Sequence, residues 1–255
     1  MTVSLMATLN IGPAAFAATP VANISCKSGM SRVAKLQCEA SILLQSDKSF
    51  KDVKASMSNI LKAETVSTSW AGSSKNDAVD WCAWTASFLI RDKVFRGGQS
   101  VYSKSSSDFV RFASKTTSSG RLQVVARAEN SKSHLGSSSD ITYISSNERL
   151  RVFLDNAEVQ PGDLVAYYFV EYKGRKDQDG NPFHASENDS DRVTALLKNP
   201  QANKEDRPFW HLGVVYSNGR IIEGNRGGVL KSFKVSTQAE FTWYGGVVVL
   251  RPEWK

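Results

Sequence analysis

At 255 residues the chain is long enough for one large domain, or for a core domain with a helical extension. Its 41% hydrophobic and 22% charged content is ordinary for a globular protein. No apolar run approaches the roughly 18–20 residues of a transmembrane helix, so no membrane span is expected. The net charge of +7 implies attraction to an anionic polymer or surface without saying which.

The first 17 residues carry no charge and end in Pro13-Ala-Ala-Phe-Ala17. Ala15 and Ala17 meet the small-x-small pattern of a cleavage point, and Pro13 would break the preceding apolar helix. The reading is a secretory leader over residues 1–17, which places the protein in a secreted or periplasmic setting. The usual basic residues at the start are missing, and the alternative is an apolar N-terminus on an intracellular protein. Three cysteines are an odd number. In an exported protein Cys26 and Cys38 are spaced to close a small disulfide loop and leave Cys82 free. In a reducing compartment all three would be buried thiols.

Residues 18–70 read as a helical extension. From about Ser31 to Ala63 the spacing predicts two helices. Leu36, Ala40, Leu43 and Leu44 recur at helical intervals, Ser46-Asp47 can break and re-cap the chain, and Phe50, Val53, Met57, Ile60 and Leu61 repeat the pattern. The stripe is packing surface, laid on the main domain or closing a small module of its own.

Residues 71–255 read as the main domain. After a Ser-rich loop, Asn76 or Asp77 offers an N-cap and Ala78 to Arg91 forms a helix carrying Trp81, Trp84, Thr85 and Phe88. Asp108 to Ser114 suggests one more short helix, and residues 115–147 hold one strand-like run at Leu122 to Val125. Pro161-Gly162 sets a corner before a strand at Leu164 to Val170. Residues 173–207 form a long polar insertion with a short helix at Arg192 to Leu197; insertions of this length are usually functional. Val214 to Tyr216 and Arg220 to Ile222 flank Asn218-Gly219, a strong hairpin signal. Val229 to Val235 and Phe241 to Leu250 complete the sheet.

Chemistry concentrates in two of these stretches. Cys82 falls in the first turns of its helix, where the dipole and unsatisfied N–H groups favour the thiolate, the nucleophilic form of cysteine. His211 stands at the entrance of the hairpin. Glu223 and Asn225 lie near its exit and, by strand alternation, on one face, with Gly224 pointing the other way. That supplies a nucleophile, a base and orienting partners, the parts that thiolate catalysis needs. Taken singly each has a plainer reading: a buried structural thiol, a satisfied histidine, a solvated hairpin glutamate. The combination favours the chemical one. His134 and His184 read as surface residues. Asp177, Asp179 and Asp189 near His184 lack the spacing and the glutamate of a calcium loop, so no metal or other cofactor is expected. Trp70, Trp210 and Trp243 are suited either to sugar stacking or to core packing.

In chain order, Asp-Trp-Cys82-Ala-Trp-Thr-Ala-Ser-Phe, Pro-Gly-Asp163-Leu-Val-Ala, His211-Leu-Gly-Val-Val and Ile-Ile-Glu223-Gly-Asn225 resemble the CHAP branch of the NlpC/P60 superfamily, papain-like cysteine amidases and peptidases that mostly cut peptidoglycan. The resemblance covers about residues 76–250. It implies an α+β papain-like fold with the nucleophile helix packed on an antiparallel sheet. It also implies Cys82 as nucleophile, His211 as base and then acid, Glu223 holding the imidazole, and Asn225 as a second polar partner. The chain departs from the family in its long insertion before His211, its N-terminal helices, and Asp80-Trp81 where an Asn or Gln is more usual. The implied function is a secreted cysteine hydrolase cleaving an amide of peptidoglycan, as an amidase or a stem-peptide endopeptidase. Its partner is the wall and its anionic polymers, with no nucleic acid expected. The alternatives are a non-catalytic wall-binding or interaction module on the same fold, an antibacterial toxin amidase, or an amidase of a small non-wall amide.

Overall fold

A computed structural model describes residues 26, 29–46, 49–63, 81–90, 109, 122–130, 142–144, 159–170, 189–199, 208–217, 219–226, 229–234 and 244–252. Its elements, in chain order, are α1 (Arg32–Gln45), α2 (Phe50–Ala63), α3 (Trp81–Leu89), β1 (Leu122–Asn130), β2 (Thr142–Ile144), β3 (Leu164–Phe169), α4 (Asp189–Lys198), β4 (Phe209–Ser217), β5 (Arg220–Arg226), β6 (Val229–Lys234) and β7 (Gly245–Pro252). The fold is α+β. Seven strands form one sheet in the order β2-β1-β7-β3-β4-β5-β6. Every pairing is antiparallel except that of the short β2 with β1.

The sheet is apolar on both sides. Leu164, Ala166, Tyr168, Leu212, Val214, Ile222, Leu230, Val248 and Leu250 face the helices. Val165, Tyr167, Val215, Ile221, Val247 and Val249 form a second cluster on the opposite face. Strand alternation sorts the two sets, because odd and even positions point opposite ways. Helix α3 is apolar around its whole circumference, and such a helix must be enclosed; each residue from Trp81 to Leu89 is buried.

Helices α1 and α2 join this core rather than closing one of their own. Leu36, Ala40, Leu43, Val53, Met57 and Leu61 belong to the same cluster as α3 and the sheet. Phe50 lies 5.5 Å from the Trp81 ring and 5.9 Å from that of Trp84. The Ser31 hydroxyl accepts from the Ala34 amide at 3.2 Å to start α1. Ser46 ends α1 by donating to the Leu43 carbonyl at 2.6 Å. Ser49 caps α2 by accepting from the Asp52 amide at 3.2 Å and by bonding the Asp52 carboxylate. Cys26 and Cys38 form a disulfide across a Cα–Cα distance of 5.9 Å, and Cys82 takes no part in a disulfide.

The corner before β3 is a hydrogen-bonded knot. The Asp163 amide donates to the Gln160 carbonyl at 3.0 Å, and the Asp163 carboxylate accepts from the Gln160 amide at 2.8 Å. Arg251 of β7 grips both oxygens of that carboxylate, at 3.0 and 2.9 Å. The Pro-Gly-Asp stretch is therefore an architectural clasp between β3 and β7. No helix among the described residues is long and apolar enough to cross a membrane.

Candidate active site

Helix α3 approaches β4 and β5 closely because residue 224 has no side chain. A Cβ on Gly224 would fall 2.9 Å from the Trp81 carbonyl oxygen and against the Thr85 hydroxyl. The first turn of α3 thus lies directly on β5, beside Glu223. That turn carries Cys82.

His211 is the third residue of β4 and is buried, with 6% of its surface exposed. Its Nε2 lies 2.9 Å from Oε2 of Glu223, itself fully buried. The Cys82 thiol also hydrogen-bonds the imidazole. With Nε2 occupied by the carboxylate, Nδ1 is the nitrogen left for the sulfur. The structure thus brings together three of the four residues singled out in the sequence. Asn225 lies on β5, but its side chain is outside the described residues.

A second glycine makes the imidazole–carboxylate pair possible. Gly213 is directly opposite Glu223 in the β4–β5 ladder. A Cβ there would fall 2.7 Å from Cγ of Glu223 and 2.6 Å from Cδ1 of Ile221. The Glu223 side chain lies across the bare Gly213 backbone on its way to His211, two residues along the same strand face. Tyr167 and Tyr244 stack near the imidazole, at 6.0 and 6.2 Å between ring centroids, and fix its plane.

The electrostatics follow from these contacts. Burial alone would push the imidazole towards its neutral form. The Glu223 carboxylate outweighs it, helped by the bonds to Cys82 and Glu223, and His211 holds its proton well above the usual histidine range. A protonated imidazole donates from both nitrogens, one to the carboxylate and one towards the sulfur. The arrangement can stabilise a thiolate, return a proton to a leaving group, and keep the ring oriented throughout.

Sequence reasoning missed the second polar cluster of the molecule. Arg127 and Glu129 of β1 are buried, with Arg127 donating to Glu129 at 2.9 Å, to the Tyr168 hydroxyl at 2.9 Å and to Thr194 of α4 at 2.8 Å. Ser190 of α4 donates to Glu129 at 2.6 Å. It also missed the contact next to His211: the indole N–H of Trp210 donates to Asp189 at 2.9 Å. His134, His184, Trp70 and Trp243 lie outside the described residues, and no metal-ligand grouping occurs among those described.

Comparison with known proteins adds no relative: no family model matches the chain, and no curated protein or solved structure matches it.

Proposed function

We propose that this chain is a papain-like cysteine hydrolase that cleaves an amide bond of peptidoglycan. The observation that carries the proposal is the convergence of Cys82, His211 and Glu223, with the imidazole bonded to the thiol and to a fully buried carboxylate. Structural histidines rarely need a thiol and a carboxylate together, whereas a nucleophile, its base and an orienting acid form the recurring unit of acyl transfer.

In this mechanism the Cys82 thiolate, balanced by the His211 imidazolium, attacks the amide carbonyl carbon. A C–S bond forms and the carbonyl oxygen takes the negative charge, with the Cys82 backbone N–H at the helix start as one donor to it. Collapse breaks the C–N bond, and the departing amine takes the proton from His211. Neutral His211 then deprotonates a water that attacks the thioester. The carboxylic product leaves, and the thiolate and imidazolium are restored. Glu223 keeps the ring oriented and favours its charged form at each stage.

Peptidoglycan as the substrate rests on the resemblance of the four motifs and on the charge of +7, which suits an anionic wall. The Cys26–Cys38 disulfide supports an oxidising compartment, as export would provide. A second reading, a wall-binding module without turnover, draws on Cys82 exposing only 5% of its surface. One experiment separates the two: digestion of purified peptidoglycan by the residue 18–255 protein and by its Cys82→Ala variant, with products read by mass spectrometry. Fragments from the wild type alone establish the hydrolase, and their masses name the bond. Sacculi that pellet both proteins and release nothing establish the binding module.

A further inference from the structure

Trp210 sits beside the candidate base in an unusual way. The β3–β4 ladder pairs Tyr167 with His211 and Tyr168 with Phe209, so Trp210 is the unmatched residue of a β-bulge. Bulges re-aim side chains and are common next to active sites. Here the bulge turns the indole outward: it is 51% exposed, between two buried neighbours, Phe209 and His211.

Single exposed apolar residues are normal and mean nothing by themselves. This one is built in. Its N–H donates to Asp189, which is 1% exposed, at the first residue of α4. Asp189 also accepts from Arg192 at 2.6 Å and from the Phe169 backbone amide. The Phe169 ring meets the indole edge-on at 5.5 Å. Behind Phe169, 4.8 Å away, is Tyr244, which stacks on His211. Water would satisfy a surface indole without help. Burying a carboxylate to do so is costly, and burial pushes Asp189 up to about 6. The next residue of α4, Ser190, is tied to Glu129 and Arg127 of β1. An exposed aromatic face is thus held rigid by β3, β4 and α4 at the edge of the reacting centre.

We propose that Trp210 is a specificity-determining platform that stacks on the sugar ring adjoining the scissile amide, and that Asp189 is its positioning residue. The proposal rests on the peptidoglycan reading above. With the N–H bonded to Asp189, about half of the residue stays exposed, and the negative quadrupole of an indole face suits the C–H groups of a pyranose ring. Trp210 adjoins His211 in β4, and ring contacts through Phe169 and Tyr244, at 5.5, 4.8 and 6.2 Å, connect the indole to the imidazole, so a ring held on it lies on the approach to the reacting groups. Immobilising the indole beforehand removes part of the entropy that binding would otherwise lose.

The test uses the Cys82→Ala protein and two soluble peptidoglycan fragments, a disaccharide-peptide and the same peptide without sugar, with affinities from calorimetry. The sugar-bearing fragment should bind more tightly. Adding Trp210→Ala should weaken it about ten- to thirtyfold, the usual order for a truncated aromatic anchor, and leave the bare peptide within about twofold. Trp210→Phe should keep most of the preference, and Asp189→Ala should lose part of it. Equal affinity for the two fragments, equal loss on both, or no loss overturns the platform. Turnover by the wild type with no Trp210 dependence sinks the platform alone. A Trp210-dependent sugar preference without turnover keeps the platform and sinks the hydrolase.

Discussion

Two of the buried polar constellations among the described residues of this sheet are built differently. Arg127, Glu129, Tyr168, Ser190 and Thr194 tie β1, β3 and α4 together, and Arg127 alone donates to five oxygens, four on these side chains and one on the Ser190 backbone. Cys82, His211 and Glu223 tie α3, β4 and β5 together around an imidazole, a group that can both hold a proton and release it. Both are desolvated and both contain a carboxylate with no exposed surface. Burial of charge therefore does not mark a site. The presence of a base that can let go of its proton, beside a nucleophile, does.

The sharpest way to break this contrast is to delete one member of each cluster. Cys82→Ala and His211→Ala should each lower turnover by about 10⁴-fold or more, as when members of a catalytic unit are removed, and leave the fold intact. Glu129→Ala should do the reverse. It strands the buried Arg127 charge, and the expected loss of stability is about 3–5 kcal/mol, with activity per folded molecule kept. Denaturant unfolding and active-site titration measure the two quantities separately. A Cys82→Ala protein that fails to fold, or a Glu129→Ala protein as stable as wild type, would erase the distinction.

Glu223→Gln sharpens the same contrast within the site. The amide keeps the shape but not the charge that outweighs burial at His211. Turnover should fall about 10²- to 10⁴-fold, the range expected when the imidazole loses its orienting carboxylate. The His211 titration followed by NMR should also move down. The sign for stability is set by a folded pKa above the unfolded value. The His211 contribution is fully present below about 6.5 and is lost as pH rises through its higher folded value. The variant should lose that dependence. An unchanged His211 titration would remove Glu223 from the site.

Much of the candidate site was legible because its carriers are local patterns. Trp81 to Leu89 is apolar on every side, which only an enclosed helix tolerates, and Asn218-Gly219 between two apolar runs sets the hairpin that carries His211 and Glu223. The Arg127–Glu129 cluster was not legible. Reading β1 as far as Val125 stopped where two charged residues broke the apolar pattern, yet the strand continues to Asn130 because those charges pair with each other and with α4. Its partners on β3 and α4 lie 39 to 67 residues away in sequence, and periodicity carries no information at that range. Helix α4 was read from Arg192 for the same reason. Asp189 and Ser190 look like loop residues until Trp210 and Glu129 are placed against them.

Gly213 belongs to the His211-Leu-Gly-Val-Val stretch, and its contacts with Glu223 and Ile221 explain why a glycine stands there. Gly213→Ala introduces a Cβ at 2.7 Å from Glu223 and 2.6 Å from Ile221, closer than such atoms approach. Glu223 or Ile221 must shift. The expected outcome is a loss of about 1–3 kcal/mol in stability, typical of overpacking, together with a fall in turnover larger than unfolding explains. Activity measured well below the melting temperature checks it. Full turnover in that variant would mean that Glu223 reaches His211 by another path.

The smallest effect separates the imidazole from the carboxylate that anchors its neighbour. Asp189 is pushed up to about 6 by burial, against the bonds from Trp210, Arg192 and the Phe169 amide that favour its charged form. Its folded pKa is above the ordinary aspartate value, so its contribution to stability is present in full below about 4 and is lost as pH rises through about 6. Asp189→Asn keeps an acceptor for the indole and removes the titration. Melting temperatures of the two proteins, compared from pH 4 to 7.5, should converge or cross within that window, with the Asn variant relatively better at the upper end. Other carboxylates cancel in the difference, and His211 titrates higher. A constant offset between the two curves would show that Asp189 is ionised throughout and that its burial is fully compensated by its three donors.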